Sequence, residues 1–214
     1  MLRRLGTTIV VLALLAVGVD YGLRVWAGFW VGDRTQQALH LSKRPDVSFS
    51  GVLFLPQVIG GRIDSATLEE GRFSVEGVPF SHARLTLDDV TFQTGELLLH
   101  HRGPIRAASG RGVLDMTGSD LERAFQAHGV DVSISVAAGE IRASGGALPQ
   151  EIAVSASVEQ GSLVVQSTQG APMAFRLPLP SLGSGITYGS VSVRGGQAEL
   201  TLKVEHARLT GLVG

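Results

Sequence analysis

The sequence predicts an α+β chain that is mainly β, with an N-terminal helix packed in a strongly curved antiparallel β-sheet. Three observations predict it. An uncharged apolar stretch near the N-terminus runs into a segment of helical spacing. After Pro45 the apolar spacing changes from helical to two and holds over most of the 214 residues. The alternating runs are broken by glycine-bearing turns, and only one later stretch returns to helical spacing. A sheet this extensive curls, and the first helix is the natural cover for its concave side.

The N-terminus carries Arg3 and Arg4, then Leu5 to Val19 without a charge. A basic start followed by an apolar run is an export signal, and Ala16-Val17-Gly18 offers a small-residue cleavage pattern. An uncleaved anchor fits the same residues, because Tyr21, Trp26 and Trp30 follow at once and aromatic residues gather at membrane interfaces. Either reading keeps the N-terminus cytoplasmic and sends the body across the cytoplasmic membrane to the cell envelope. Residues 1–32 are therefore expected to be a signal peptide or transmembrane anchor, and residues 33–214 the β-rich domain. "DRTQQALHLS", Asp33 to Ser42, reads as helix, with Asp33 able to cap it, Gln36 three residues on, and a start in continuity with the apolar run.

The strands follow in order. Val47, Phe49 and Gly51 alternate with polar partners, and "RIDSATLE" and "RFSVEG" are short strands parted by Glu70-Gly71. "SHARLTLDDVTF" puts Ala83, Leu85 and Leu87 on one face. "RGPIRAASGR" reads as a loop. "TGSDLERAFQAHG" reads as a helix that Ser119 or Asp120 can cap and Gly129 can end. Val130, Val132, Ile134 and Val136 then alternate, as do Ile152, Val154, Ala156 and Val158 before a Gln160-Gly161 turn. "SVSVRGGQAELTLKVE" is a hairpin about Gly195-Gly196.

The chain lacks cysteine, which excludes disulfides, thiolate metal sites and cysteine nucleophiles, and its net charge of −1 gives no field for nucleic acid. G-x-S-x-G, the phosphate-loop pattern, G-x-G-x-x-G and H-E-x-x-H are all missing. His100 and His101 are adjacent and on a strand would point apart, while His82 and His206 sit opposite apolar sets. Asp88-Asp89 reads as solvated rather than as a cation site. No catalytic residue, cofactor or metal is expected. Arg102, Arg106 and Arg111 lie close together and are the candidates for contact with an anionic head group; a solvated loop is the plainer reading.

Two stretches carry apolar residues in unusual settings. "SGVLFLPQVIGG" holds Val52, Leu53, Phe54, Leu55, Val58 and Ile59 around Pro56, neither alternating nor cleanly helical. Periodicity alone reads it as core; a plug, the lip of an apolar cavity or a membrane-dipping loop also fit. "FRLPLPSLGSGI" sets Phe175, Leu177 and Leu179 on one face of an extended chain and Pro178 and Pro180 on the other. Two prolines two apart remove donors from one edge, so that edge is expected to stay unpaired. The Leu177/Leu179 face, with Ile186, is assigned to the lining of a cavity.

The blocks Val47 to Ile63 and Leu177 to Leu200 resemble the LmeA-like family of actinobacterial cell-envelope phospholipid-binding proteins, and the likeness runs from about residue 33 onward. The resemblance implies a sheet wrapped around a long helix, as in tubular lipid-binding proteins, with acyl chains in an apolar cavity. It implies phospholipid partners, including phosphatidylinositol-type lipids, a membrane, and a role in envelope lipid or lipoglycan maturation. It brings no catalytic residues. Two other classes remain: a membrane-anchored structural module for an envelope enzyme, and a lipid or glycan hydrolase using acids such as Asp88, Asp89 or Asp115.

Overall fold

The computed structural model describes residues 2–39, 41–51, 53–96, 103–137, 139–145, 148–168 and 174–209. One helix, α1 (Leu2–Leu39), leads into β1 (Asp46–Ser50), the short α2 (Phe54–Ile59), β2 (Arg62–Glu70), β3 (Phe73–Val75), β4 (Val78–Phe80), β5 (His82–Thr91) and β6 (Arg106–Met116). Then come α3 (Gly118–Ala127), β7 (Ser133–Ala137), β8 (Glu140–Gly145), β9 (Leu148–Glu159), β10 (Ser162–Ser167), β11 (Ala174–Pro178), β12 (Ile186–Arg194) and β13 (Gln197–Arg208). The strands form a six-stranded sheet in the order β1-β2-β5-β6-β13-β12, a five-stranded sheet β11-β10-β9-β8-β7, and the ribbon β3-β4. All strand pairings among the described residues are antiparallel, so the mainly β fold class with an N-terminal helix holds, built as two main sheets instead of one.

Three local expectations change. Asp33 caps no helix: α1 runs through it to Leu39, in the continuity with the apolar run that the sequence suggests, and Asp33 pairs with Arg44. "RGPIRAASGR" is not wholly a loop: from Arg106 on it is the first half of β6, which pairs with β5 and β13. Its pattern was hidden because inward Gly110 and Gly112 carry no apolar side chain; Gly112 is flanked by Leu85 and Leu202 from the neighbouring strands. The cap of α3 is Thr117, whose hydroxyl accepts the Asp120 N–H while Asp120 accepts the Thr117 N–H, a reciprocal capping box. Asp120 is fully buried there and also pairs with Arg123.

Helix α1 lies against β1 and covers the inner side of one end of the six-stranded sheet. Gly28 and Gly32, one turn apart, allow this, since a Cβ on Gly28 would stand 2.5 Å from the Val47 carbonyl oxygen and one on Gly32 2.8 Å from that of Pro45. The boundary expected at residues 32 and 33 falls inside this helix. Among the described residues no helix is long and apolar enough to cross a membrane. Past Val19, α1 carries the charged residues Asp20, Arg24, Asp33 and Arg34.

The six-stranded sheet buries one face along its whole length, but against two different covers. At one end Ala83, Leu114, Met116, Leu200 and Leu202 pack with Leu121 and Phe125 of α3 and with Ile134, Ile141, Val165 and Leu177 of the five-stranded sheet. At the other end Leu87, Val90, Ala107, Val204 and Ala207 face Leu23 and Ala27 of α1 and Phe54 and Val58 of α2.

A bend separates the ends. Ala66, Leu87, Gly110 and Val204 form one row across β2, β5, β6 and β13, and Ile63, Val90, Ala107 and Ala207 form another three residues along. Ile63, Leu87, Val90, Ala107, Val204 and Ala207 are all buried on the inner side, so strict alternation is broken by one residue in each strand. The break falls at Asp89 and His206, both with left-handed backbone (φ 50° and 49°). The sheet folds over along that line, and its last rows become the end wall of the second cluster.

Candidate functional site

The second cluster is not filled. A cavity of about 390 Å³ lies between α1, α2 and the bent end of the sheet. From α1 come Leu23, Trp26, Ala27, Trp30 and Val31, spaced as one helical stripe, with Thr35 a turn further on. From α2 come Phe54, Leu55, Val58 and Ile59. Val47 and Phe49 of β1, Ile63, Ala66, Thr67 and Leu68 of β2, and Leu87 and Val90 of β5 line the sheet side, and Phe92, Thr94, Ile105 and Leu209 close the bent end. Among the described residues only three that line the cavity are polar, all threonines, and none is ionisable. Trp26, Leu55 and Ile59 line the cavity and yet are exposed, Ile59 by 69%, so they mark its mouth.

Polar contacts behind the lining hold α2 in place. Asp20 of α1 is buried and its Oδ1 accepts the Leu55 N–H at 2.7 Å. It thus caps a helix whose own N-cap, Leu53, has no capping side chain. Hydrogen bonds from the Leu55 and Phe54 amides, with a smaller pull from Arg24, hold the Asp20 carboxyl below the usual carboxylate range. Arg24 lies 3.5 Å from Asp20, donates to the Gly51 carbonyl at 2.9 Å, and sits over the Phe54 ring at 5.9 Å. At the other end of α2 the Thr94 hydroxyl donates to the Val58 carbonyl at 2.7 Å, and Gln57 Oε1 accepts the Asp64 N–H. The short helix is a wall latched from both ends.

The candidate residues divide. Phe54, Leu55, Val58 and Ile59 line the cavity, Leu53 is exposed beside them, and Val52 lies outside the described residues. Ile186 packs against the cluster without lining the cavity. Phe175, Leu177 and Leu179 are not on this cavity: they belong to the filled core, Leu177 fully buried and Phe175 edge-on to Phe125 at 6.3 Å. Their strand pairs with β10, on the far side of the five-stranded sheet from β7. Pro178 and Pro180 do sit at a sheet edge. Leu179 N–H reaches inward to Gly161 O, so by alternation the proline positions face away from β10. Among the described residues that edge has no strand partner, and it is not the mouth of the cavity.

Arg106 and Arg111 are exposed on β6 and point away from the cavity, because their neighbours Ile105, Ala107, Gly110 and Gly112 occupy the inner side. Arg102, His100 and His101 lie outside the described residues. The acids considered for hydrolysis are also outside the lining: Asp89 pairs with Arg62 and Asp115 with His82, and Asp88 is on the outward row. Among the described residues no group of three or more His, Asp or Glu is placed to hold a metal. The cavity stripe on α1 was the part missed from sequence, although Leu23, Trp26, Ala27, Trp30 and Val31 already show the spacing.

The model of the LmeA-like phospholipid-binding family matches residues 19–203. The chain belongs to that family. Its match begins one residue before Asp20, so the cavity-lining half of α1 lies within it. No curated protein and no solved structure matches the chain significantly. Family membership supports phospholipid binding, and the enclosed apolar lining is the feature suited to it.

Proposed function

We propose that the chain holds a phospholipid by its acyl chain in the cavity between α1, α2 and the bent sheet. The carrying observation is an apolar space of about 390 Å³ with no ionisable lining residue among those described and an exposed apolar mouth. This volume is in the usual range for small-molecule sites, roughly 300–1,000 Å³. Each methylene moved from water into such a lining contributes about 0.8 kcal/mol, so an acyl chain is the part of a phospholipid this space favours. The basic and apolar N-terminal sequence supports export to the cell envelope, where the chain carries or transfers lipid for envelope lipid or lipoglycan maturation. Phosphatidylinositol-type lipids are the first to test. A purely structural module has no need of an empty lining, and a hydrolase needs titratable groups beside its substrate.

Mass spectrometry of organic extracts from the purified protein tests the reading, with Ala66→Trp as the variant that fills the cavity. Phospholipid is expected with the wild-type chain. The variant is expected to lose most of it while melting as cooperatively as before. No lipid in the wild type, or equal lipid in both, overturns the proposal.

A further inference from the structure

A second feature lies on the outer side of the bend. Arg62, Thr91, Arg106 and Arg208 form one row across β2, β5, β6 and β13, with Arg106 directly opposite Arg208. Like charges in directly opposed positions destabilise a sheet. Among the described residues no acid pairs with Arg106 or Arg208, and the acid in this shallow depression, Asp89, is taken by Arg62. The row therefore spends stability to keep cations together and exposed.

Its surroundings say what it faces. Two glycines separate Arg62 from Ile59, the most exposed residue of the cavity mouth, and Leu55 and Leu53 are exposed on the same short segment. Helix α1 meets this end through Asp20 and Leu55, and beyond Asp20 its sequence is the uncharged apolar run Leu5 to Val19. Tyr21 is exposed by 67% just past that contact. Arginines beside an apolar, aromatic tip suit a bilayer surface, where cations meet lipid phosphates and apolar side chains enter the interface.

We infer that the end of the molecule formed by Arg62, Arg106, Arg208 and the α2 tip docks on an anionic membrane surface, with the cavity mouth turned to the lipids. This rests on the acyl-chain reading only for its purpose, and the two are tested apart. The chain has no cysteine, so Ala108→Cys, on the exposed face of β6 two residues from Arg106, takes a single environment-sensitive fluorophore. The labelled full chain is mixed with vesicles of phosphatidylcholine alone or with added phosphatidylglycerol.

The emission is expected to shift with the anionic vesicles only, and the shift to fade as salt is raised. Arg106→Gln with Arg208→Gln is expected to weaken that response roughly thirtyfold, from two basic contacts. Arg142→Gln, on the other sheet, is expected to leave it unchanged. An equal shift on neutral vesicles, or one that survives the double variant, overturns the docking face. Phospholipid carried by the same proteins is measured separately: its absence from the wild type counts against the cavity reading and leaves the vesicle result to decide docking.

Discussion

The two ends of the six-stranded sheet present the same kind of inner face and meet different fates. Near Ala83, Leu114 and Leu200 the face is covered by α3 and a whole second sheet, and large side chains such as Phe125, Met116 and Leu121 are fully buried there. Near Leu87, Val90 and Ala207 the cover is one helix and a six-residue turn of another, and the small residues Ala27 and Ala66 line the space left between them. Apolar alternation makes a face that must leave water; it does not say whether protein or ligand covers it. The filled end supplies stability, and the hollow end is where the proposed acyl chain would be covered.

The largest test of that division is Phe125→Ala. The ring is fully buried in the filled end, and its removal is expected to cost about 3–5 kcal/mol, read as a lower denaturant midpoint. Lipid content below the melting temperature is expected to stay near the wild-type level. Loss of lipid in a folded variant would show that the two ends are not separate in function.

A smaller effect is expected at the latch of the hollow end. Asp20 has its carboxyl held below the usual range, so the ionised form is favoured by folding. The stabilisation is complete above the ordinary aspartate value, about pH 4, and fades as pH falls below it through the folded value. In the wild type, hydrogen exchange at the Leu55 amide is expected to quicken in that acid window, before the filled end opens. Asp20→Asn is expected to remove the pH step, quicken exchange at neutral pH and reduce lipid content, with little change in the main melting transition. Unchanged exchange at Leu55 would remove Asp20 from its role as the cap of α2.

The smallest change in stability, within about 1 kcal/mol, is expected for Pro178→Val at the exposed edge of β11. The new outward N–H gives that edge a donor, so self-association is expected to rise in light scattering while lipid content stays constant. A variant that remains monomeric would make the prolines plain strand terminators. Reduced lipid would place this edge nearer the cavity than its packing in the filled core suggests.

Much of the fold could be read along the chain because its signals are local. The hairpin at Gly195-Gly196, the turn at Gln160-Gly161 and the end of α3 at Gly129 need only a few neighbouring residues, and each of these glycines has the positive φ such turns use. The unpaired edge at Pro178 and Pro180 was legible for the same reason, since a missing N–H is a property of the residue itself. The strand β6 was not legible, because glycines take the inward positions where apolar residues would have announced it. Phe54 to Ile59 could be picked out as unusual, yet core and cavity wall ask for the same side chains.

By itself, then, the sequence determined a long first helix, antiparallel strands with one buried face, and two stretches that break the pattern. Tertiary structure alone decided which apolar surface stays empty. The one-residue shift after Leu87 and after Val204 is visible in each strand, as Val90 and Ala207 lie three residues further on. Only the long-range register aligns these shifts into a single bend, and only the packing of α1 on β1 through Gly28 and Gly32 sets a wall across from it. A cavity is the distance between elements that are far apart in sequence, and no local pattern of residues encodes that distance.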